Sequence, residues 1–544
     1  MSSTKAVILF LVAAAHCITI AKGQSLRFDQ KYIESVEKAQ KISSLDSSAF
    51  GEQVDIATGS TSFQWTDIDI PGSSRLPVRL QRRLTIEDKF NAQTGDLGGF
   101  GVAGSFDIPF LKGVFPTSGW QVQGSTPNVR CSLYSPPPDQ TIIKSSDYWN
   151  GNWMSVPWVG TYAILGSPSS TLPRPQGGAS MITRNFWAFQ CLPTTKNGYP
   201  GEAFLAISPE GDKYYFDWVV SKPYSSISKR FGNYAHSTSS MSRVVVYFLV
   251  TRIEDRFGNW VNYSYNGANL SRIEASDGRF IQISGWSGAN VTSVVSSVGT
   301  WLYSYSGSTT TVTRPDGSTW RYAGTGELRI EPTPSLPLYS GGPGPGGLVQ
   351  CPAPEPSSGN YSLAITHPAG ATATYIFQVM RHWESNVPRL CNSFIDESLM
   401  SYRYLTIPNF SDSLTLVSKS INGPAVTAMS WTYSYQDAGF LAFEDVCANP
   451  PTALSCPQTR STEIRGPEGS FQRHTFGKMR GINSGQLLML EEGHEIGSTT
   501  PVIMKTTQYS YVIASELSTQ MFLERLVRPA HRGSILCQCP RCAL

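Results

Sequence analysis

Asp67 and Asp69 lie two residues apart in the segment Trp65-Thr66-Asp67-Ile68-Asp69-Ile70. On a strand that spacing turns both carboxylates to one face. Such a pair serves as an acid/base couple or as the beginning of a cation site. A hard cation takes more oxygen ligands than two carboxylates supply, and the commonest use of the pattern is a solvated strand end before a turn. Further along, Tyr148, Trp149, Trp153, Trp158 and Tyr162 crowd one short stretch. Exposed indole faces stack on sugar rings, which makes Trp149, Trp153 and Trp158 the candidate ligand-binding residues, for a cell-surface glycan; core packing is the more frequent fate of such side chains. Cys537, Cys539 and Cys542 offer soft ligands at the C-terminal end, but three thiols with no following His fall short of a structural zinc site. The chain holds no His-Glu-x-x-His and no Gly-x-Ser-x-Gly, and its seven His are scattered. His367, before Pro368, and His494, between Gly493 and Glu495, have no neighbour in sequence to work with. No catalytic residue, metal site or cofactor is therefore assigned, and the chain is expected not to be an enzyme.

Whatever these side chains do, strands must position them, because one turn keeps returning. Pro209-Glu210-Gly211, Pro315-Asp316-Gly317, Pro368-Ala369-Gly370 and Pro467-Glu468-Gly469 are copies of Pro-x-Gly, and Asp255-Arg256-Phe257-Gly258 is a relative. Pro presets φ for a turn and Gly supplies the conformation that closes it. Five and seven residues past the Gly stand Phe216 and Trp218, Tyr263 and Tyr265, Tyr375 and Phe377, and His474 and Phe476. Each unit is a tight turn feeding a strand with a paired aromatic face. Gly258, Gly278, Gly299 and Gly317 follow one another at 20, 21 and 18 residues, enough for one hairpin per repeat, although the aromatics after Gly299 come one position early. The fold class is therefore mainly β, a repetitive antiparallel β-sheet array, preceded by a short amphipathic helix in which Phe28, Tyr32, Ile33, Val36, Ala39 and Ile42 keep helical spacing.

The domain order follows from shifts in pattern. Residues 1–23 form a cleavable signal peptide: Lys5, then an apolar run from Ala6 to Ile20, then Ala21-Lys22-Gly23 with small residues where a signal peptidase requires them. The helix occupies 24–48, a loop-rich β region 49–202, the clearest repeats 203–330, a Pro/Gly linker 331–355, weaker repeats 356–525 and a Cys-rich tail 526–544. No later stretch is long and apolar enough to span a membrane as a helix. The expected location is secreted or at the cell surface. With 43 Lys and Arg against 40 Asp and Glu, the net charge of +3 gives no reason to expect nucleic acid as a partner. Ten cysteines suit an exported chain. Cys447 and Cys456 bracket a Pro-rich loop that a short disulfide would close, while Cys131 with Cys191 and Cys351 with Cys391 are pairings by order alone.

Phe204 to Trp218, Arg252 to Tyr265 and Leu270 to Arg279 resemble the bacterial Rhs (YD-repeat) family, as does the opening Gly51 to Leu80. The repeat signature comprises Pro209, Gly211, Asp255, Gly258, Tyr263, Tyr265, Gly278, Gly317, Gly370 and Gly469. The resemblance implies a β-ribbon spiralling into a shell that encloses a C-terminal toxin polypeptide, or acts in cell-surface contact or carbohydrate binding. The family releases its toxin by cleavage at an Asp-Pro motif. This chain contains no Asp-Pro dipeptide, so it resembles the N-terminal part of such a protein.

Overall fold

The structure is a computed structural model that describes residues 50–88, 97, 99–121, 129–140, 143–149, 151–166, 181–230, 238–325, 328–330, 359–386, 391–395, 401–405, 410–424, 426–437, 458–495, 500–512 and 528–532. All lie in the unit Phe50–Leu544. The expected signal peptide and helix, the 331–355 linker and the tail cysteines fall outside the described residues.

The chain opens with a small antiparallel sheet: β1 (Glu52–Val54), β2 (Thr61–Ile70), β3 (Val78–Asp88) and the short β4 (Ser105–Phe106) beside β3. Period-two alternation buries Phe63 and Trp65 on β2. Between Thr66 and Ile68 the β2–β3 register slips by one residue. This bulge makes Ile68 and Ile70 the next inward residues and leaves Asp69 exposed. Asp67 and Asp69 therefore do not share a face, contrary to the simple alternation.

Eight strands then close on themselves: β5 (Phe110–Pro116), β6 (Asn152–Val156), β7 (Gly160–Gly166), β8 (Met181–Thr183), β9 (Ala188–Leu192), β10 (Ala203–Ile207), β11 (Lys213–Arg230) and β12 (Thr238–Glu254). Each pairs antiparallel with the next, and β12 returns to β5. The long β12 makes closure and continuation compatible. Its Arg243–Leu249 stretch pairs with β5, while Arg252–Glu254 pairs with the strand that follows. Val244 to Val250 is an unbroken apolar run, as a strand covered on both faces requires, and Val245 to Val250 are completely buried. Phe115, Trp120, Phe204 and Phe248 meet with ring centroids 4.6–5.7 Å apart, so side chains fill this part of the barrel. The Cys131–Cys191 disulfide ties the β5–β6 connection to β9.

From β12 an antiparallel ribbon departs: β13 (Trp260–Asn266), β14 (Asn269–Ala275), β15 (Phe280–Ser287), β16 (Asn290–Ser296), β17 (Gly299–Ser306), β18 (Thr309–Thr313) and β19 (Thr319–Gly324). Two kinds of turn alternate along its edges. On one edge Gly267, Gly288 and Gly307 each lead a two-residue loop, the position at which a type II′ hairpin needs positive φ. On the other edge the repeat turns share one five-residue form. In Asp255–Asn259 the Gly258 N–H donates to Asp255 O at 3.1 Å and the Asp255 N–H to Asn259 O at 3.0 Å, and the same two bonds recur in Ser208–Asp212, Ala275–Arg279, Arg314–Ser318 and His367–Ala371. The closing glycines, Gly211, Gly258, Gly278, Gly317 and Gly370, have φ of 81–89°. The Gly299 copy is instead a two-residue loop, Ser296 pairing with Gly299, which explains its early aromatics. Glu468 also takes positive φ, so the Gly469 turn is a variant.

The ribbon continues past β20 (Arg329–Ile330), which lies parallel to the end of β3, through β21 (Asn360–Thr366), β22 (Thr372–Trp383), β25 (Phe410–Gly423), β26 (Val426–Gln436), β27 (Thr459–Arg465), β28 (Ser470–Gly477), β29 (Leu487–His494), β30 (Val502–Val512) and β31 (Arg528–Arg532). Among the described residues, β23 (Cys391–Ile395) and β24 (Ser401–Leu405) pair only with each other. The paired aromatic face holds: Tyr263, Tyr265, Tyr375 and Phe377 are buried. A bulge between Phe216 and Trp218 leaves Phe216 buried and Trp218 half-buried against Tyr265.

Candidate functional site

The inner face of the ribbon is covered by the first sheet, and the contact is sealed by charges. Arg82, opposite Trp65 on β3, is fully buried. Its Nε donates to Asp67 Oδ2 at 2.6 Å and its Nη2 to Asp67 Oδ1 at 2.8 Å; Nη2 also donates to Tyr322 Oη at 2.9 Å and Nη1 to Ala103 O at 2.9 Å. Tyr303 Oη donates to Asp67 Oδ2 at 2.7 Å. The guanidinium sits over the rings of Trp65, Phe100 and Tyr322. Burial alone would lower the Arg82 pKa, but the Asp67 carboxylate and the two phenols outweigh it and hold the guanidinium charged. Asp67 is thus an internal counterion, neither a solvated strand end nor half of a cation pair, while Asp69 pairs with Arg79 on the outside.

A second internal pair, Glu52 with Lys419, joins β1 to β25, the ammonium lying 4.6 Å from the centroid of the Trp431 ring. The β1–β2 turn between them docks on the ribbon through its carbonyls. Thr415 Oγ1 donates to Thr58 O at 2.9 Å and Thr462 Oγ1 to Ile56 O at 2.7 Å. Behind Thr415 lies buried His382, its Nε2 3.1 Å from the Thr415 hydroxyl. Burial first, then Arg460, push the imidazole down to about 4, against Asp437, Asp55 and Asp412. His367, on a turn, accepts from the Ala369 N–H through Nδ1 at 3.0 Å and stacks edge-on with Trp320.

The three candidate tryptophans do not form one platform. Trp149 follows a single helical turn, Ser145–Tyr148, and its Nε1 donates to Asn152 Oδ1 at 3.2 Å. Trp153 is half-buried on β6, between Lys112 and Ala163 across the sheet. Only Trp158, in the β6–β7 turn, lines a cleft of about 530 Å³. There the β2–β3, β6–β7, β8–β9 and β10–β11 turns converge. Arg75, Arg79, Glu210 and Asp212 supply its charges, Asn185 an amide, and Trp187 and Tyr214 buried rings in edge contact at 4.8 Å. Arg75 Nη2 donates to Asp212 Oδ1. Burial raises the Asp212 pKa, opposed by Arg75 and reinforced by Asp255 and Glu210. The repeat signature lent the cleft Pro209; Arg75, on the β2–β3 turn, and Asn185 and Trp187, on the β8–β9 turn, carry no local pattern and meet only because two turns distant in the chain converge.

No family model matches the chain, and no curated protein does. Among solved structures the chain is similar to TcdB2-TccC3 crystallised without its hypervariable C-terminal region, at 8% identity and a TM-score of 0.15 over 84% of this chain. It spans only 23% of that protein's length, and a likeness so slight carries no argument about function.

Proposed function

We propose that the chain is an exported scaffold of the Rhs/YD-repeat kind, a β-wall that encloses or presents another polypeptide and carries out no reaction of its own. The observation behind this reading is the ribbon. Strands leave the closed barrel through β12 and extend by hairpins whose turns alternate edge by edge, so each added repeat lengthens a wall rather than furnishing a reaction chamber. Coverage of that wall fades along its length. Leu414, Leu416 and Ile421 on β25 are fully buried; every residue of β29 is half-buried; on β30 Val502 and Met504 are more than half exposed. The later strands are where a second polypeptide would sit.

Export by residues 1–23 belongs to the same reading, and intact mass of the secreted chain is expected to place its N-terminus at Gln24. The scaffold reading is tested by mixing the mature chain with the polypeptide encoded beside it and adding protease. Protection of that polypeptide, together with slowed hydrogen exchange in β29 and β30, is the expected result. A cargo cleaved as fast as when alone, or turnover by the mature chain in a broad glycosidase and peptidase screen, overturns the reading.

A further inference from the structure

Five Asn-x-Ser/Thr tripeptides with no Pro in the middle stand in the chain: Asn262-Tyr263-Ser264, Asn269-Leu270-Ser271, Asn290-Val291-Thr292, Asn360-Tyr361-Ser362 and Asn409-Phe410-Ser411. Such a tripeptide is the acceptor for N-linked glycosylation of an exported chain. The motif is short enough to arise by chance, so its place in the fold has to discriminate. Asn409 lies outside the described residues. Asn262 is mid-strand on β13, between Arg252 and Glu274 across the sheet, and its Oδ1 accepts from Arg252 Nη1 at 3.4 Å. The other three lie along one edge of the ribbon, that of the two-residue hairpins: Asn269 opens β14, Asn290 opens β16 and Asn360 opens β21.

Two of them are one motif met twice. Gly267-Ala268-Asn269-Leu270-Ser271 and Gly288-Ala289-Asn290-Val291-Thr292 occupy the same turn in successive repeats, the two Gly at φ of 59° and 60°. Their surroundings differ. The segment from Gly99 to Gly104 crosses the edge at the second copy. There the Gly99 N–H donates to Ala289 O and the Val291 N–H to Gly99 O, both at 3.0 Å, and Thr310 Oγ1 donates to Phe100 O at 2.8 Å. A Cβ on Gly99 would fall 3.1 Å from Asn290 Oδ1. The Asn290 amide is thus packed against the crossing segment, and a glycan on it would keep that segment from seating. At the first copy Asn266 and Gly267 are exposed beside a half-buried Asn269. Asn360 is itself exposed; its Oδ1 accepts from Gln378 Nε2 at 3.1 Å, a bond that does not use Nδ2, the atom to which a glycan is joined.

We propose that Asn269 and Asn360 carry N-linked glycans in the exported chain and that Asn290 does not. In the transfer the Asn amide nitrogen displaces the diphosphate of a lipid-linked oligosaccharide. The bond from Nδ2 to the sugar C1 forms, the bond from C1 to the diphosphate oxygen breaks, and one amide proton is released with the diphosphate. In the fold these tripeptides lie in paired strands, so transfer precedes closure of the hairpins. Folding then sorts the products, because a chain modified at Asn290 cannot seat Gly99. Both glycans rest on the export reading, with which the Cys131–Cys191 disulfide agrees. They leave free the opposite edge, where Arg279 Nη1 donates to Ile70 O at 2.7 Å and holds the end of β2. The test takes the chain secreted by its own cells, determines its N-terminus, and treats it with peptide-N-glycosidase in heavy-oxygen water, which turns each modified Asn into a labelled Asp. Peptide mass spectrometry is expected to find the label at Asn269 and Asn360 in most molecules and none at Asn290. Ser271→Ala is expected to abolish the label at Asn269, and Ser271→Thr to keep it. A secreted chain that begins at Gln24 yet lacks the label at Asn269 or at Asn360 overturns the proposal and leaves export standing, whereas a chain retained in the cells overturns both. Labelling of Asn290 equal to that of Asn269, or a label at Asn269 that survives Ser271→Ala, also overturns it.

Discussion

Replacing Asp67 by Asn should loosen the first sheet from the ribbon while leaving the ribbon folded. The Asp67 carboxylate accepts two bonds from Arg82 and one from Tyr303, and both ends of the ion pair are essentially out of water, with side-chain exposures of 0% and 7%. The amide keeps the volume but removes the only carboxylate, among the described residues, that is bonded to Arg82. The guanidinium is then left charged among Trp65, Phe100 and Tyr322, and its length cannot carry it to solvent from a site with no exposed surface. Breaking one side of a buried pair costs about 3–5 kcal/mol. Because Asp67 and Arg82 lie on β2 and β3 and Tyr303 and Tyr322 on β17 and β19, the loss falls on the interface between sheet and ribbon. The assay is hydrogen exchange followed by mass spectrometry, with guanidinium titration alongside. Peptides from 61–88 should lose protection worth about 3 kcal/mol or more, and peptides from β13 to β16 much less. The double variant Asp67→Leu with Arg82→Met removes both charges and should recover most of the loss, since apolar replacement of a buried pair is often close to neutral. A loss below about 1 kcal/mol in Asp67→Asn, or no recovery in the double variant, would refute the clamp.

The remaining expectations concern pH, turns and the disulfide. His382 is neutral in the fold, with a pKa near 4 against 6.5 when unfolded. The unfolded chain therefore binds more protons between those values, and stability falls as pH drops through the window, by up to about 3 kcal/mol. His382→Gln should flatten that slope in denaturation curves taken between pH 7 and 4, and an unchanged slope would count against a buried neutral imidazole. At Gly258 and Gly278 an added Cβ meets nothing within 4 Å, so Gly→Ala costs only the backbone conformation, about 1–2 kcal/mol each. At Gly104 the same Cβ falls 2.3 Å from Arg83 O, so Gly104→Ala should cost clearly more in the same denaturant titration. Reducing Cys131–Cys191 opens a loop of 60 residues and should lower stability by about 4 kcal/mol, seen as an earlier melt in reductant that is absent in a Cys131→Ser/Cys191→Ser variant.

How much of this was legible depended on the distance over which each feature is determined. The repeat turns were, because a five-residue loop is decided by its own Pro, Asp and Gly, and the aromatic offsets follow from strand period. Closure of the barrel was not. It rests on β12 pairing with β5 more than a hundred residues earlier, and its trace in sequence is the apolar run Val244 to Val250, which marks a strand covered on both faces without naming the cover. Asp69 was misplaced because a bulge, invisible to alternation, turned it outward, while Asp67 stayed on the inward side and meets Tyr303. Phe186 shows the same limit at shorter range. A search keyed to Gly finds only the turns that Gly closes and misses the copy in which Phe186 stands in its place. Its signal lay in what surrounds the gap: Thr183 and Asn185, whose side chains bond each other at 2.6 Å, with the Thr183 hydroxyl also accepting from the Trp187 N–H at 3.1 Å. Those bonds enforce the turn with no help from the fourth residue, which frees that position for a ring.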